Sequence, residues 1–257
     1  MNTNLSGFER QNQILQQVSQ AGRITVTEIC ETFGISEATA RRDLETLAAD
    51  SRLQRVHGGA IALTHAPPES PIFQRRGEQA EEKARIGQAA AALVRDGETV
   101  FLGSGTTVLE VAWRLRNCYN LTVITNSMPV INIFAGLENF QVICLGGVLR
   151  ESELSFIGHI TEQAVAELRA DKVILGTRAI SLEQGLTNDY LPETMTDRAI
   201  LKSGRDVILV ADHSKFGRVA TALLAPIESI HTIVTDREAP PDFIEAVRAI
   251  GIRVITA

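Results

Sequence analysis

Two stretches decide the reading of this chain: Ile35-Ser36-Glu37-Ala38-Thr39-Ala40-Arg41-Arg42-Asp43-Leu44-Glu45-Thr46-Leu47 and, shortly after it, Arg55-Val56-His57-Gly58-Gly59-Ala60. Ser36 is a helix-capping residue type, because its hydroxyl accepts from a first-turn N–H. With Ala40 at zero and steps of about 100° per residue, Leu44 and Leu47 fall within about 40° and Arg42 lies roughly opposite. The core stripe is therefore Ala40, Leu44 and Leu47, and the outward face is Thr39, Arg41, Arg42 and Thr46. Arginine bonds guanine edges bidentately or clamps phosphates, and Ser36 and Thr39 stand where a helix start reaches phosphate. Arg55 and His57 adjoin Gly58 and Gly59, and glycine lets a backbone approach a phosphate closely. An isolated arginine pair reads as a solvated surface. The cap, stripe and glycine-ended basic segment together read as a DNA-recognition helix followed by a wing.

The preceding residues supply the rest of such a reader. Phe8, Ile14, Leu15 and Val18 recur at helical spacing over residues 8 to 21, and Gly22 ends that helix. Ile24 opens a short extended entry. Thr25-Val26-Thr27-Glu28 fits a capping box for a helix from Val26 to Phe33 that buries Ile29 and Phe33. Gly34 supplies the tight turn into the next helix. This is the three-helix arrangement of a helix-turn-helix reader, expected over residues 1–62. These first sixty residues carry six arginines against seven acids, and the whole chain is −6. DNA affinity must then come from local placement, since Arg41, Arg42, Arg52 and Arg55 fall within fifteen residues.

At 257 residues the chain is too long for a lone reader of about 60. Three prolines between Thr64 and Pro71 mark a linker, placed at 63–74. A second domain is expected over 75–257. There, short apolar runs (99–102, 121–125, 141–145, 172–175, 207–210, 232–234 and 253–255) alternate with helical patterns (78–95, 106–116, 128–137, 159–169, 193–203 and 241–249). Buried runs alternating with helices predict a largely parallel α/β sheet. Phe101 and Trp113 read as core, and His159 as a helix start. Cys30, Cys118 and Cys144 are far apart, without CxxC or His/Cys spacing, so zinc is not expected. Sparse cysteines, a polar start and no apolar run near the ~20 residues of a membrane span predict a cytoplasmic protein.

Four loops follow predicted strands and carry small, hydroxyl or charged residues: Gly103-Ser104-Gly105-Thr106-Thr107, Thr125-Asn126-Ser127, Gly146-Gly147 with Arg150, and Asp212-His213-Ser214-Lys215-Phe216-Gly217. In a parallel sheet such loops gather at one edge, where ligands bind. The first aims backbone N–H groups and hydroxyls at an anion at a helix start. It lacks the third glycine of a dinucleotide fingerprint, and no GxxxxGK occurs, so nicotinamide and ATP sites are unsupported. Arg178 and Glu193 are secondary candidates for a covering segment. His213 neighbours the site.

The chain resembles the DeoR family of bacterial sugar-responsive regulators. Residues 8 to 60 match its capped "IS-x-x-T-x-RRDL-x-x-L" and "RVHGGA" patterns. Ser104 to Thr107, Thr125 to Ser127, Gly146 to Arg150, Gly185 to Thr187 and Ala211 to Gly217 match "SGTT", "TNS", "GG-x-x-R", "GLT" and "ADHSKFG". Two positions depart from the pattern: Ser51 where glycine usually precedes the wing, and Gly103 where aspartate is common. The resemblance implies a sensor domain related in fold to pentose-phosphate isomerases, binding a phosphorylated sugar or sugar derivative. Ser104, Gly105, Thr106 and Thr107 would hold the phosphate and Lys215 would add positive charge. Asn126, Arg150 and Asp212 would meet hydroxyls or phosphate.

The function expected is a homo-oligomeric repressor, dimer or tetramer, that binds double-stranded operator DNA and is released by a phosphorylated sugar, with no cofactor or metal. Its DNA-contacting residues would be Ser36, Thr39, Arg41, Arg42, Thr46, Arg55, His57 and Gly58. The alternative is a sugar-phosphate isomerase-like enzyme in which Asp212 and Lys215 do acid–base work; it leaves the reader unexplained. An RNA-binding role has no aromatic stacking motif in its favour.

Overall fold

The computed structural model describes residues 6–49, 53–61, 66 and 70–257, and these fall into two compact units, the chain being divided after residue 67. In the first, α1 (Gly7–Ala21) is opened by a Ser6/Glu9 capping box and leads through β1 (Arg23–Thr25) to α2 (Val26–Phe33). The Thr25/Glu28 capping box forms as the sequence predicts, and Gly34 closes α2 in the left-handed conformation. Next come α3 (Glu37–Ala49), β2 (Gln54–Val56) and β3 (Gly59–Ile61). Strands β2 and β3 pair antiparallel, and β3 also pairs with β1. Ile14, Val18, Ile24, Ile29, Ala40, Leu44, Leu47 and Leu53 form the core, so the wheel drawn from Ala40 describes the real buried stripe.

Gly59 sits where β3 crosses β1. A Cβ there would lie 2.1 Å from the Ile24 carbonyl oxygen and 2.8 Å from Thr25 Cα. Gly58 takes φ +83° in the wing turn, and its carbonyl accepts from Val26 N at 2.9 Å. The glycine pair is thus required by the turn and by strand contact. Ser51 lies outside the described residues.

The second unit begins earlier than the sequence indicates. Helix α4 (Ile72–Arg75) already starts within the stretch read as linker. Ile72 is 1% exposed and its N–H donates to Ser152 O at 2.8 Å. The prolines end at Pro71, and the apolar Ile72 has a core to enter.

The remaining elements are α5 (Ala80–Ala91), β4 (Thr99–Leu102), α6 (Thr106–Leu115), β5 (Leu121–Thr125), α7 (Met128–Phe134), β6 (Phe140–Cys144), β7 (Val148–Arg150), β8 (Ser155–Ile157), α8 (His159–Ala166) and β9 (Ala170–Leu175). They continue with β10 (Ala179–Ser181), β11 (Gly185–Asn188), α9 (Leu191–Ser203), β12 (Gly204–Val210), β13 (Ala222–Ala225), β14 (Thr232–Thr235), α10 (Pro241–Ala249) and β15 (Arg253–Thr256). The predicted apolar runs are the seven strands of one parallel sheet, ordered β15-β14-β12-β9-β4-β5-β6.

Period-2 alternation divides each strand between two cores. Val100, Leu102, Val123, Ile174, Ile208 and Val210 pack with residues of α5, α6 and α7. Phe101, Ile124, Val173, Leu175, Val207 and Leu209 pack with residues of α8, α9 and α10. Helices therefore cover both faces. An antiparallel sheet, β10-β11-β13, and a hairpin, β7-β8, complete the unit.

Phe101 is core as expected, but Trp113 is 45% exposed. Val108, Val111, Ala112 and Leu115 occupy the packed face of α6, which leaves Trp113 at its margin with the Arg116 guanidinium 5.1 Å from the ring centre.

Gly59→Ala is expected to cost the first unit about 1–3 kcal/mol, the usual penalty of overpacking. Urea denaturation followed on that unit checks this, and an unchanged midpoint would contradict the close strand crossing.

Candidate effector site and DNA-reading surface

On the reader, Ser36 Oγ accepts from Thr39 N at 3.3 Å and lies 3.0 Å from Thr39 Oγ1, so it caps α3. Arg41, Arg42 and Thr46 are exposed and Thr39 is half-buried. Arg41 pairs with Glu37 at 3.0 Å, one turn back, and Arg55 pairs with Glu45 at 2.8 Å. Among the described residues Arg42 forms no ion pair. Exposed pairs of this kind are weak and readily exchanged for phosphate contacts. Arg55, His57 and Gly58 are exposed on the wing.

The sequence reading missed Asp43. It is only 5% exposed, and it accepts from Arg10 Nε at 2.6 Å and Gln11 Nε2 at 2.9 Å. Two donors from α1 thus fix the recognition helix to the helix before the motif. The signal was present as a charged residue beside the core stripe at Leu44.

In the second unit the strand order reverses between β4 and β9: β5 and β6 extend to one side, and β9, β12, β14 and β15 to the other. Loops that leave the carboxyl ends of such a pair diverge and open a crevice. The cleft found there is lined by Ser104 to Thr107 after β4, by Gly176 to Arg178 after β9, and by Ala211 and Lys215 after β12. Gly105 caps α6, and the buried Thr106 and Thr107 occupy its first turn. Unsatisfied amides of a first helical turn carry partial positive charge.

Other elements bring further charges: Arg178 and Glu193, the secondary candidates, line the cleft, together with Arg75, Lys83, Glu153 and Asp197, which the sequence reading did not foresee. Arg75 of α4 forms a buried two-pronged pair with Glu153 at 2.5 Å to both oxygens. Lys83 of α5, also buried, donates to Arg75 O at 2.9 Å and to Glu78 O. Burial lowers its pKa; Asp212 acts against that, while Lys215 and Arg75 add to it. Arg178 reaches Asp189 at 3.2 Å, and its backbone N–H donates to Asn188 Oδ1 at 3.0 Å. Asn188 in turn donates to Asp197 Oδ2 at 3.1 Å. Four cations and three carboxylates, Glu153, Glu193 and Asp197, therefore line the cleft. Such a lining offers donors to an anion and acceptors to hydroxyl groups.

Several candidate residues do not line this cleft. Thr125 donates to Leu102 O at 2.6 Å and accepts from Ser127 N at 3.0 Å. Asn126 holds the β7-β8 hairpin through Phe156 O at 2.9 Å, and Phe156 N returns a bond to Asn126 O at 2.7 Å. Gly146 O accepts from Thr161 at 2.8 Å, and a Cβ on Gly147 would lie 2.2 Å from that hydroxyl. Arg150 acts through the cleft carboxylate Glu193, with which it forms an ion pair, and its guanidinium lies 4.8 Å from the Tyr190 ring centre. Ser155 donates to the other Glu193 oxygen at 3.0 Å. At Gly103, Leu175 Cδ2 stands 2.3 Å from where a Cβ would be, so the space an aspartate would need is filled.

Asp212 is buried and accepts from Ser214 N at 3.0 Å and from the Ser214 hydroxyl. Burial raises its pKa, but Lys215, the Ser214 hydroxyl, Lys83 and His213 together hold it below the usual aspartate value.

An N-terminal winged helix-turn-helix in one chain with an α/β unit holding a cationic cleft at its switch point defines a ligand-sensing DNA reader. A DeoR-like helix-turn-helix domain matches residues 10–66, and a DeoR C-terminal sensor domain matches residues 78–237. The glycerol-3-phosphate regulon repressor of Escherichia coli K12 is 38% identical over 91% of each chain. Transcriptional repressor AccR of Agrobacterium fabrum is 35% identical over 89% of each. The lactose phosphotransferase system repressor of Lactococcus lactis subsp. lactis is 32% identical over 92% of this chain and 93% of its own. Among solved structures, ribose 5-phosphate isomerase A of Methanocaldococcus jannaschii has a TM-score of 0.40 and 16% identity over 54% of this chain and 55% of that one. The chain belongs to the DeoR family of transcriptional regulators.

Asp212→Asn is expected to cost the second unit about 2 kcal/mol at neutral pH, because Lys83 and Lys215 lose a buried counter-charge. A lowered carboxylate pKa gives stability that is present above the ordinary aspartate value of about 4 and lost as pH falls through the lower folded value. Urea midpoints of the two proteins should therefore converge in acid; a constant gap would contradict the ionised, paired Asp212.

Proposed function

We propose that this protein is a repressor of a carbohydrate-utilisation operon that leaves its operator when the cleft takes up a phosphorylated sugar or sugar derivative. One observation carries the proposal: Ser104 to Thr107 at the start of α6 share a cleft with Lys83, Arg178 and Lys215, in a chain that also carries an exposed Arg41/Arg42 recognition face. The amides, hydroxyls and cations suit a phosphate. Glu193, Asp197 and Asn188 suit the hydroxyls of a carbohydrate. Relatives that are repressors by name, one of a glycerol-3-phosphate regulon and one of a lactose phosphotransferase system, support the same reading.

The reader would work as a pair within a homo-oligomer, dimer or tetramer, because linked half-sites gain by effective concentration. Ligand coupling of ~1–3 kcal/mol is typical of allostery and suffices to change operator occupancy. The protein would act in the cytoplasm; among the described residues no helix is long and apolar enough to cross a membrane. A non-enzymatic role is supported by Asp212, the candidate acid–base group, which is capped by Ser214 and does not line the cleft.

The experiment uses a DNA site selected from a random library by the full-length protein. Arg42→Ala should cost about 1–3 kcal/mol of affinity for that site while leaving ligand uptake intact. Lys215→Ala should bind the site normally and resist release by the sugar phosphate that releases the wild type. Unchanged DNA affinity in the first variant, or normal release in the second, contradicts the assignment.

A further inference from the structure

The cleft loop after β12, which carries Asp212 and Lys215, is fastened to the turn after β14 by one side chain. His213 N donates to Asp236 Oδ2 at 2.7 Å, and the ring Nδ1 lies 3.0 Å from Asp236 Oδ1. Its Nε2 lies 3.4 Å from Glu238 Oε2. The His213 side chain is 7% exposed and that of Asp236 is fully buried. Asp236 Oδ1 also accepts from Glu238 N at 2.9 Å, so the receiving turn is itself braced.

A neutral imidazole has one N–H and one lone pair, so between two carboxylates it can donate to one and must oppose the other. An imidazolium donates to both. The placement of Asp236 and Glu238 on opposite ring nitrogens therefore selects the charged ring. The remaining charges around it belong to its own loop, Asp212 and Lys215, and to Lys83 of α5, which acts on Asp212.

We propose that His213 is a positioning residue for the ligand loop: when protonated it clamps Asp212–Lys215 to the Asp236–Glu238 turn, and anion uptake at Lys215 is stronger at mildly acidic than at mildly alkaline pH. The clamp stands on geometry alone; its consequence for anions rests on the effector reading of the cleft. Burial by itself would lower the His213 pKa. The hydrogen bond to Asp236 and the charges of Asp236, Asp212 and Glu238 together outweigh burial and raise it. A raised folded value means that the clamp is complete below the ordinary histidine value and is lost as pH rises through the higher folded one. The added positive charge beside Lys215 acts in the same direction.

Hydrogen exchange of the 211–217 segment in the full-length protein tests this between about pH 6 and about pH 8, the range around the ordinary histidine pKa. Corrected for intrinsic rates, wild-type protection should fall about fivefold across the range, the change expected when a charge-assisted bond becomes a neutral one. His213→Gln should show low protection at both ends. Glu238→Gln alters a half-exposed side chain, and should keep the fold while moving the wild-type transition to lower pH.

Sulfate, which keeps its charge throughout, is the probe anion. Its stabilisation of the second unit, measured against chloride at matched ionic strength, should fall with pH in the wild type and be flat in His213→Gln. Wild-type protection that is independent of pH, or an identical pH response in His213→Gln, would overturn the clamp. A titrating clamp with pH-independent sulfate stabilisation would overturn its link to anion uptake. A titrating clamp in a protein that sulfate does not stabilise at any pH would show that the effector reading of the cleft had failed instead.

Discussion

The reversal of strand order between β4 and β9 is the constraint on which the sensor unit depends. Parallel strands need helical crossovers, and crossovers on opposite faces force the loops after β4 and β9 apart. The gap so created sits at the carboxyl edge, where Gly105 opens α6 and where Gly176 to Arg178 turn toward β10. Everything else in the cleft is added around it. Arg75 and Lys83 arrive from α4 and α5, Glu153 from the β7-β8 turn, Glu193 and Asp197 from α9, and Lys215 from the loop after β12. Because these groups come from elements packed on both faces of the sheet, a ligand held by them would bridge elements of both faces. That gives a physical route by which occupancy can alter the unit as a whole.

The reader works by a comparable economy of contacts. A ten-residue core fixes three short helices, and its strongest polar restraint is Asp43 receiving Arg10 and Gln11. Two charge-assisted bonds to one buried carboxylate set the inclination of α3 against α1. The motif's two arginines and its aspartate therefore divide the work: Arg41 and Arg42 face outward, and Asp43 faces inward. Gly59 lets the wing lie against β1, so the basic residues Arg55 and His57 stand on a strand and turn held to the same core.

Much of this was legible in the sequence, for identifiable reasons. A strand buried on both faces must be an apolar run, so all seven strands of the main sheet announce themselves. The Thr25/Glu28 capping box and the Ala40 stripe are local, and they formed where their spacing put them. Strands of three residues, such as β7, β8 and β10, are too short for alternation to show. Arg75 follows directly on the stretch placed as linker, and Lys83 lies within the helical pattern at 78–95; only the packed fold makes them neighbours of Ser104. The reverse case has the same origin. Thr125, Asn126, Ser127 and Gly147 are small and polar at strand ends, as ligand loops are, yet none of them lines the cleft: Thr125 bonds Leu102 O, Asn126 bonds the β7-β8 hairpin, and Gly147 packs against the Thr161 hydroxyl. Trp113 read as core, but four smaller residues of α6 fill that face.

The central claim is that the switch-point cleft selects a phosphorylated carbohydrate. A thermal-shift titration of the full-length protein against a panel of sugar phosphates and their unphosphorylated parents tests it most directly, since a ligand of the folded state raises stability as RT ln(1 + [L]/Kd). The account predicts a concentration-dependent rise with a phosphorylated member and none with its parent sugar. No rise with any member, or equal rises with and without the phosphate, would contradict it.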